Sequence, residues 1–410
     1  MTRDRDPSRA SDPGLAGART CLAWLGLALL GVPMAMPAQP APSIRHHGAV
    51  PTLTTAAALR VRTISQWLSS PAVGTEPAEL ASWFGAIQAQ DLAAALWAFG
   101  VRLPDSSCAS LEGAVASGSI LRTWPIRGTM HFVAAEDARW LLRTAGVRAL
   151  RTSSQRWRTL GLDQATADAA VDVFRGALDR TPLLTRSAML GALQDAGISA
   201  AGQRGYHLLL YAAQVGVTCV GPNRGKEQTY ALLDTWAPRQ RDLEGDEALG
   251  ELVLRYFRSH GPATRQDFQR WAGLTAAASR TGLAIAGDAL IACDVAGQEA
   301  FVDPAALDRA SPAPVVRLLP AFDEYVLGYQ DRSSFIAPDR MHDVVPGQNG
   351  LFRPSVLADG RIIGTWTRAV SSRGVRVAVH YFDRPQRNVA EAVHQAAEGF
   401  AEYLDLPLLD

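Results

Sequence analysis

A chain of 410 residues with 48% hydrophobic and 20% charged residues is too long for one ordinary core. It has the make-up of a globular protein of about two to four domains, which excludes a disordered or fibrous chain. Its 40 basic and 40 acidic residues cancel, so bulk charge cannot hold it to nucleic acid or to an anionic membrane, and any DNA contact needs a local basic stripe.

Residues 1–50 stand apart. Arg3, Arg5, Arg9 and Arg19 precede an apolar run over residues 21–31 and then a Pro/Ala-rich stretch. That is the layout of a secretory signal, and the run is too short to span a bilayer. No clean Ala-x-Ala site follows, and Cys21 lacks the small-residue lead-in of a lipoprotein. Residues 1–50 therefore read as a disordered leader, or as the product of a start placed too far upstream, ahead of a cytoplasmic, nucleoid-associated protein. The cysteines at 21, 108, 219 and 293 form no Cys-x-x-Cys and have no His at ligand spacing, which excludes a zinc ribbon or disulfide framework and fits a reducing compartment.

From residue 51 a pattern of helix, helix and β-hairpin occurs three times. In residues 51–180 the helices run through 83–90 and 110–116, and the hairpin through 121–124 and 129–133. In residues 181–245 Thr185 is an N-cap candidate for the first helix, a second helix covers 205–214, and strands at 216–220 and 229–233 flank a polar turn. In residues 246–312 Thr264 is the corresponding cap, a second helix covers 275–285, and strands at 289–293 and 300–302 enclose Gly297. This is winged-helix topology, in which the second helix typically enters a major groove and the hairpin touches backbone or minor groove. Residues 313–410 depart from it: a strand from Arg317 leads into a helix or turn, two strands flank the hairpin signal Asp359-Gly360, and an amphipathic helix covers 388–403. The predicted fold is α+β, mainly α with small β-hairpins, built as three tandem winged-helix units plus a C-terminal β-hairpin and helix element.

Charge is concentrated along this chain. Eight Arg between positions 122 and 158 face only Glu136 and Asp137, whereas the tail from Asn388 carries acids and no Lys or Arg. Lys226 is the single lysine; a GC-rich genome accounts for that bias, although Arg also suits bidentate phosphate and base contacts. On or beside the first hairpin, Arg122, Arg127 and His131 are candidates for DNA contact and Trp124 for a wedge or stacking surface. The competing reading is a buried Trp and a solvent-facing His. Arg224 and Lys226 sit at the second hairpin turn, where they suit phosphate contacts. The turn has the wrong spacing for a phosphate loop and Glu227 in place of Ser or Thr, so ATP is rejected. Arg353, Arg361 and Arg368 can make the last hairpin a DNA clasp. Asp323-Glu324 is a carboxylate pair in an apolar setting, which suggests either hydrolysis or structural hydrogen bonding.

Gln88 and Gln90 are separated by one small apolar residue. On a helix they would point about 200° apart, so a shared site requires a helix end or a strand-like turn; the bland alternative is two solvent-facing glutamines. A neutral amide orients water and stabilises an oxocarbenium-like sugar by its dipole, but it is too weak a base to remove a proton. Such a site works only on a leaving group already activated, as an N7- or N3-alkylated purine is by its positive charge. Asp91 adjoins the pair, either as a support or as a helix N-terminal acid.

Ala86-Ile87-Gln88-Ala89-Gln90-Asp91 and Arg122-Thr-Trp-Pro-Ile-Arg-Gly-Thr-Met-His131 together resemble the AlkZ-like winged-helix DNA glycosylases, whose catalytic motif is Gln-apolar-Gln. The resemblance runs over residues 53–405. It implies catalytic Gln88 and Gln90 in a monofunctional glycosylase that removes alkylated purines and unhooks interstrand crosslinks. The expected partner is damaged double-stranded DNA, bound by a monomer, with no cofactor, no metal and no membrane. The alternative is a winged-helix DNA-binding protein without catalysis, such as a transcriptional regulator, although no effector domain is recognisable.

Overall fold

Short polar side chains that fold back onto the chain set where several helices begin. The computed structural model describes residues 50–69, 74–146, 148, 150, 154–309, 315–347 and 350–410. Thr185 Oγ1 accepts the Ala188 N–H at the start of the helix Arg186–Asp195, and Thr264 with Asp267 closes a capping box on Arg265–Ala272. Thr275 caps Ala276–Ala286 in the same way. Each such cap contributes about 1 kcal/mol. Apart from Val50, the leader expected over residues 1–50 lies outside the described residues, as does Arg151.

The helix expected over residues 83–90 is corrected. The helix Pro77–Phe84 stops at Gly85, whose φ of 78° belongs to the left-handed region, and Ile87–Gln88 form a short strand, β2. Its reason lies across the sheet, where β2 pairs antiparallel with β4 (Thr129–Ala134).

β3 (Ile120–Ile126) and β4 form the first hairpin, turned by Arg127 and Gly128 at φ 51° and 71°. Two consecutive positive φ values match the twist of the flanking strands. β6 (Thr218–Val220) and β7 (Thr229–Leu232) form the second hairpin. Arg122 of β3 pairs with Val220 of β6, so both hairpins share one six-stranded sheet of order β2-β4-β3-β6-β7-β5, with β5 (Leu184–Thr185) at its edge. The third hairpin, β8 (Ile291–Val295) and β9 (Gln298–Val302), makes a separate three-stranded sheet with β1 (Thr52–Leu53).

A four-stranded sheet, β10 (Val316–Leu319), β11 (Ser355–Ala358), β12 (Arg361–Ser371) and β13 (Gly374–Tyr381), carries the Asp359-Gly360 turn and packs against the helix Arg387–Tyr403. Gly360 is required there: at φ 81° it approaches Leu59 so closely that an added Cβ would lie 2.7 Å from the Leu59 Cβ. The larger core draws Leu59, Phe84, Phe132, Tyr256, Trp271, Tyr325 and Trp366 together, and a smaller one holds Trp124, Phe174, Leu209 and Tyr230. Arg102 crosses the larger core to a bidentate pairing with Asp323, both bonds 2.8 Å, and also donates to Gln66 and to the Ala98 carbonyl. Among the described residues no helix is long and apolar enough to cross a membrane.

Candidate active site

The Gln88–Gln90 segment is extended because its neighbours are core. Ala86, Ile87 and Ala89 are buried, Gln88 is half-buried and Gln90 is exposed. In extended chain, residues i and i+2 share a face, which removes the helical objection to a common site. Both glutamines meet the same stretch of β4. Ala89 N–H donates to the Met130 carbonyl at 2.8 Å, Gln90 Oε1 accepts the Met130 N–H at 3.4 Å, and Gln88 stands opposite His131 in register.

Beneath the pair lies Glu324, 2% exposed, at the start of the short helix Glu324–Leu327. Its Oε1 accepts the Gln88 N–H at 3.0 Å, and its Oε2 accepts the Trp271 Nε1–H at 2.9 Å and lies 3.5 Å from His260 Nε2. Burial pushes the carboxyl up, but His260, His131 and the Gln88 N–H outweigh it and hold Glu324 below the ordinary glutamate value. A buried anion is thus bonded directly to the backbone of the catalytic candidate. Asp323 is occupied by Arg102.

His131 is fully buried, and its Nδ1 lies 2.8 Å from the Thr129 carbonyl. A carbonyl only accepts, so Nδ1 carries the proton and Nε2 the lone pair. Burial pushes the imidazole down to about 4, with Glu324 opposing and Arg127 assisting, so the ring is neutral near pH 7. Two buried acceptors, His131 Nε2 and Gln88 Oε1, have no protein partner among the described residues, and Thr123 Oγ1 on the neighbouring strand is also unpartnered. Leaving such a group unsatisfied costs about 1–3 kcal/mol, a cost expected at a site that meets another molecule.

Above this set is an arginine cluster. Arg127 at the first hairpin turn is exposed and donates to the Arg270 carbonyl at 3.3 Å. Although the residue keeps contact with solvent, desolvation of its guanidinium by the atoms around it lowers that group, with Glu324 raising it and Arg270 lowering it again. Arg332, which burial pushes down to about 10, feels both Arg270 and Arg127. Arg270 and Arg332 escaped the sequence reading because they lie far from the hairpin in the chain. The Arg-Trp dipeptide at 270 and 271, on the helix capped by Thr264, is the signal that could have found the first.

Several other candidates lie elsewhere. Arg122 and Trp124 are each 2% exposed, which corrects their assignment to a DNA surface. Arg122 donates to Asn223 Oδ1 at 2.7 Å and burial takes its guanidinium down to about 10, while Trp124 belongs to the smaller core. His131 is buried rather than solvent-facing or phosphate-binding. Asp91 caps the helix Leu92–Gly100 by accepting the Ala94 N–H at 3.0 Å. Arg224 and Lys226 are exposed at the β6–β7 turn, away from Gln88 across the sheet. Arg353 and Arg361 are exposed beside the four-stranded sheet, Arg353 donating to the Asp343 carbonyl and Arg361 lining a cavity of about 810 Å³ with Arg62 and Gln330. Arg368 leans over Trp366 and Phe400. Among the described residues no group of three or more His, Cys, Asp or Glu is placed to hold a metal ion.

The profile of the DNA glycosylase AlkZ-like family matches residues 81–403. An interstrand DNA cross-link repair glycosylase of Streptomyces sahachiroi is 29% identical over 275 residues, covering 64% of this chain and 74% of that protein. The solved structure of the Streptomyces sahachiroi DNA glycosylase AlkZ superposes with a TM-score of 0.71 at 25% identity, covering 87% of this chain and 99% of that one.

Proposed function

Since the chain belongs to the DNA glycosylase AlkZ-like family, we propose that it is a glycosylase hydrolysing the N-glycosidic bond of cationic alkylated purines in double-stranded DNA, with Gln88 and Gln90 holding the attacking water. The observation that carries this reading is the half-buried Gln88, whose amide oxygen has no protein partner among the described residues while its backbone is fixed on Glu324. A held amide presents a dipole at fixed direction to a developing sugar cation, and the ionised Glu324 behind it adds favourable negative potential. The leaving group supplies the rest: a purine alkylated at N7 or N3 departs neutral, so it needs no acid.

The cross-link repair activity for which the Streptomyces sahachiroi relative is named supports interstrand crosslinks as substrates here too, because a crosslinked purine joined at N7 is cationic in the same way. A nucleotide in a duplex reaches Gln88 only when turned out of the stack. In this reading Arg127, Arg270 and Arg332 hold the phosphates around it, with Arg224, Lys226, Arg353 and Arg361 as more distant backbone contacts. The protein acts as a monomer on damaged DNA. Incubation with duplexes carrying either N7-methylguanine or uracil, followed by alkaline cleavage of abasic sites, tests the substrate class. Release of methylguanine but not uracil is expected; efficient uracil release would place the chemistry in a site able to protonate or polarise a neutral base.

A further inference from the structure

The glycosylase reading leaves one chemical need unmet. An attacking water must lose a proton, and neither amide can take it. Gln88 and His131 are direct cross-strand partners, so their side chains share a face with Cβ atoms about 4.5–5.5 Å apart. Each ends in a buried acceptor without a protein donor among the described residues, Gln88 Oε1 and His131 Nε2. Two acceptors cannot bond each other, whereas a water molecule between them offers one hydrogen to each, the usual way such groups are satisfied inside proteins.

We propose that His131 is a catalytic residue of this reaction, its Nε2 and the Gln88 Oε1 together holding the attacking water and Nε2 accepting its proton. This rests on the glycosylase reading above. As the water oxygen bonds to C1′ of the deoxyribose, the C1′–N9 bond breaks and its electron pair passes to the purine, cancelling the lesion's positive charge. The water proton moves to Nε2 and then to solvent. Nδ1 keeps its own proton on the Thr129 carbonyl throughout, so only Nε2 exchanges. The charged groups facing the ring are Glu324, which compensates the transient imidazolium, and Arg127, which opposes it. Asp91 is engaged in capping the helix Leu92–Gly100, whereas His131 Nε2 has no protein partner among the described residues.

The test is single-turnover excision of N7-methylguanine from a duplex by the parent, His131→Ala and His131→Gln, with and without sodium azide. Azide attacks C1′ without a proton to lose, so it bypasses a missing base but cannot repair a displaced Gln88. Both variants should bind the duplex within a few-fold of the parent and excise at least about tenfold more slowly. Azide should restore base release by His131→Ala, yield a 1′-azido sugar, and leave the parent rate unchanged. His131→Gln keeps an oxygen acceptor and much of the buried volume, and it carries the same azide test if the alanine variant does not fold. A His131→Gln rate equal to the parent's, or slow variants that bind DNA yet gain nothing from azide, would overturn the proposal while leaving the glycosylase reading intact. A parent that releases no methylguanine would remove the reading itself.

Discussion

His131 takes a proton near its ordinary value of 6.5 in an unfolded chain but only near 4 when folded, and the sign of the consequence follows from that depression. Between those values the unfolded state binds more protons than the folded one, so stability falls as pH falls. Lowering the pH from about 7.5 to 5 should cost the parent about 2 kcal/mol more than it costs His131→Gln, read from urea unfolding at both pH values. Equal losses would mean that the ring is not held neutral. Glu324 acts in the same direction: its depressed value gives stability above the usual carboxylate range that is lost on acidification. Gln88 and Gln90 stood out as candidates through the family resemblance of their motif, since an amide pair by itself reads equally as two solvent-facing glutamines. The burial of Arg122, Trp124 and His131 was not, because a polar or aromatic residue in a hairpin has the same local pattern whether the next strand covers it or water does. Asp91 shows the converse: a helix N-terminal acid, one of its two readings, is the cap that the structure displays, on the helix Leu92–Gly100 that was not among the expected elements.

The six-stranded sheet explains why the first hairpin hides its polar side chains. Its closing contact, Arg122 with Val220, joins positions too far apart in the chain for local propensity to register, so two wings were expected where one sheet is found. The Thr caps, the second helices and the Asp359-Gly360 turn were legible, since each depends on neighbours within a few residues. β13 was missed although Val375, Val377, Val379 and Tyr381 alternate with polar residues, a period-2 signal adequate to find it. Between elements, the Arg102–Asp323 pair ties the helix Leu92–Gly100 region to the turn that presents Glu324. Truncating one partner strands a buried charge, so Asp323→Ala should destabilise the fold by about 3–5 kcal/mol in urea unfolding. A loss under about 1 kcal/mol would show that water relieves the arginine.

Charge over the molecule is less one-sided than the run of arginines implied. Arg139 is paired with Asp234, Arg143 with Asp242 and Glu244, and Arg122 is buried. In the proposed reading the DNA surface is assembled instead from separate elements around Gln88, which would let a chain of zero net charge bind a polyanion. A footprint of about five phosphates predicts a log-log slope of affinity against salt near about −4.5, and Arg270→Ala should reduce its magnitude by about 0.9. A slope near zero would remove DNA from the account altogether. The most direct measurement compares the parent with the Gln88→Ala/Gln90→Ala double variant on one duplex carrying N7-methylguanine, scoring abasic sites by alkaline cleavage and binding in parallel. Abasic sites are expected from the parent, at least about tenfold fewer from the double variant, and affinities within a few-fold of each other. Equal excision by the two proteins would contradict the catalytic role of Gln88 and Gln90.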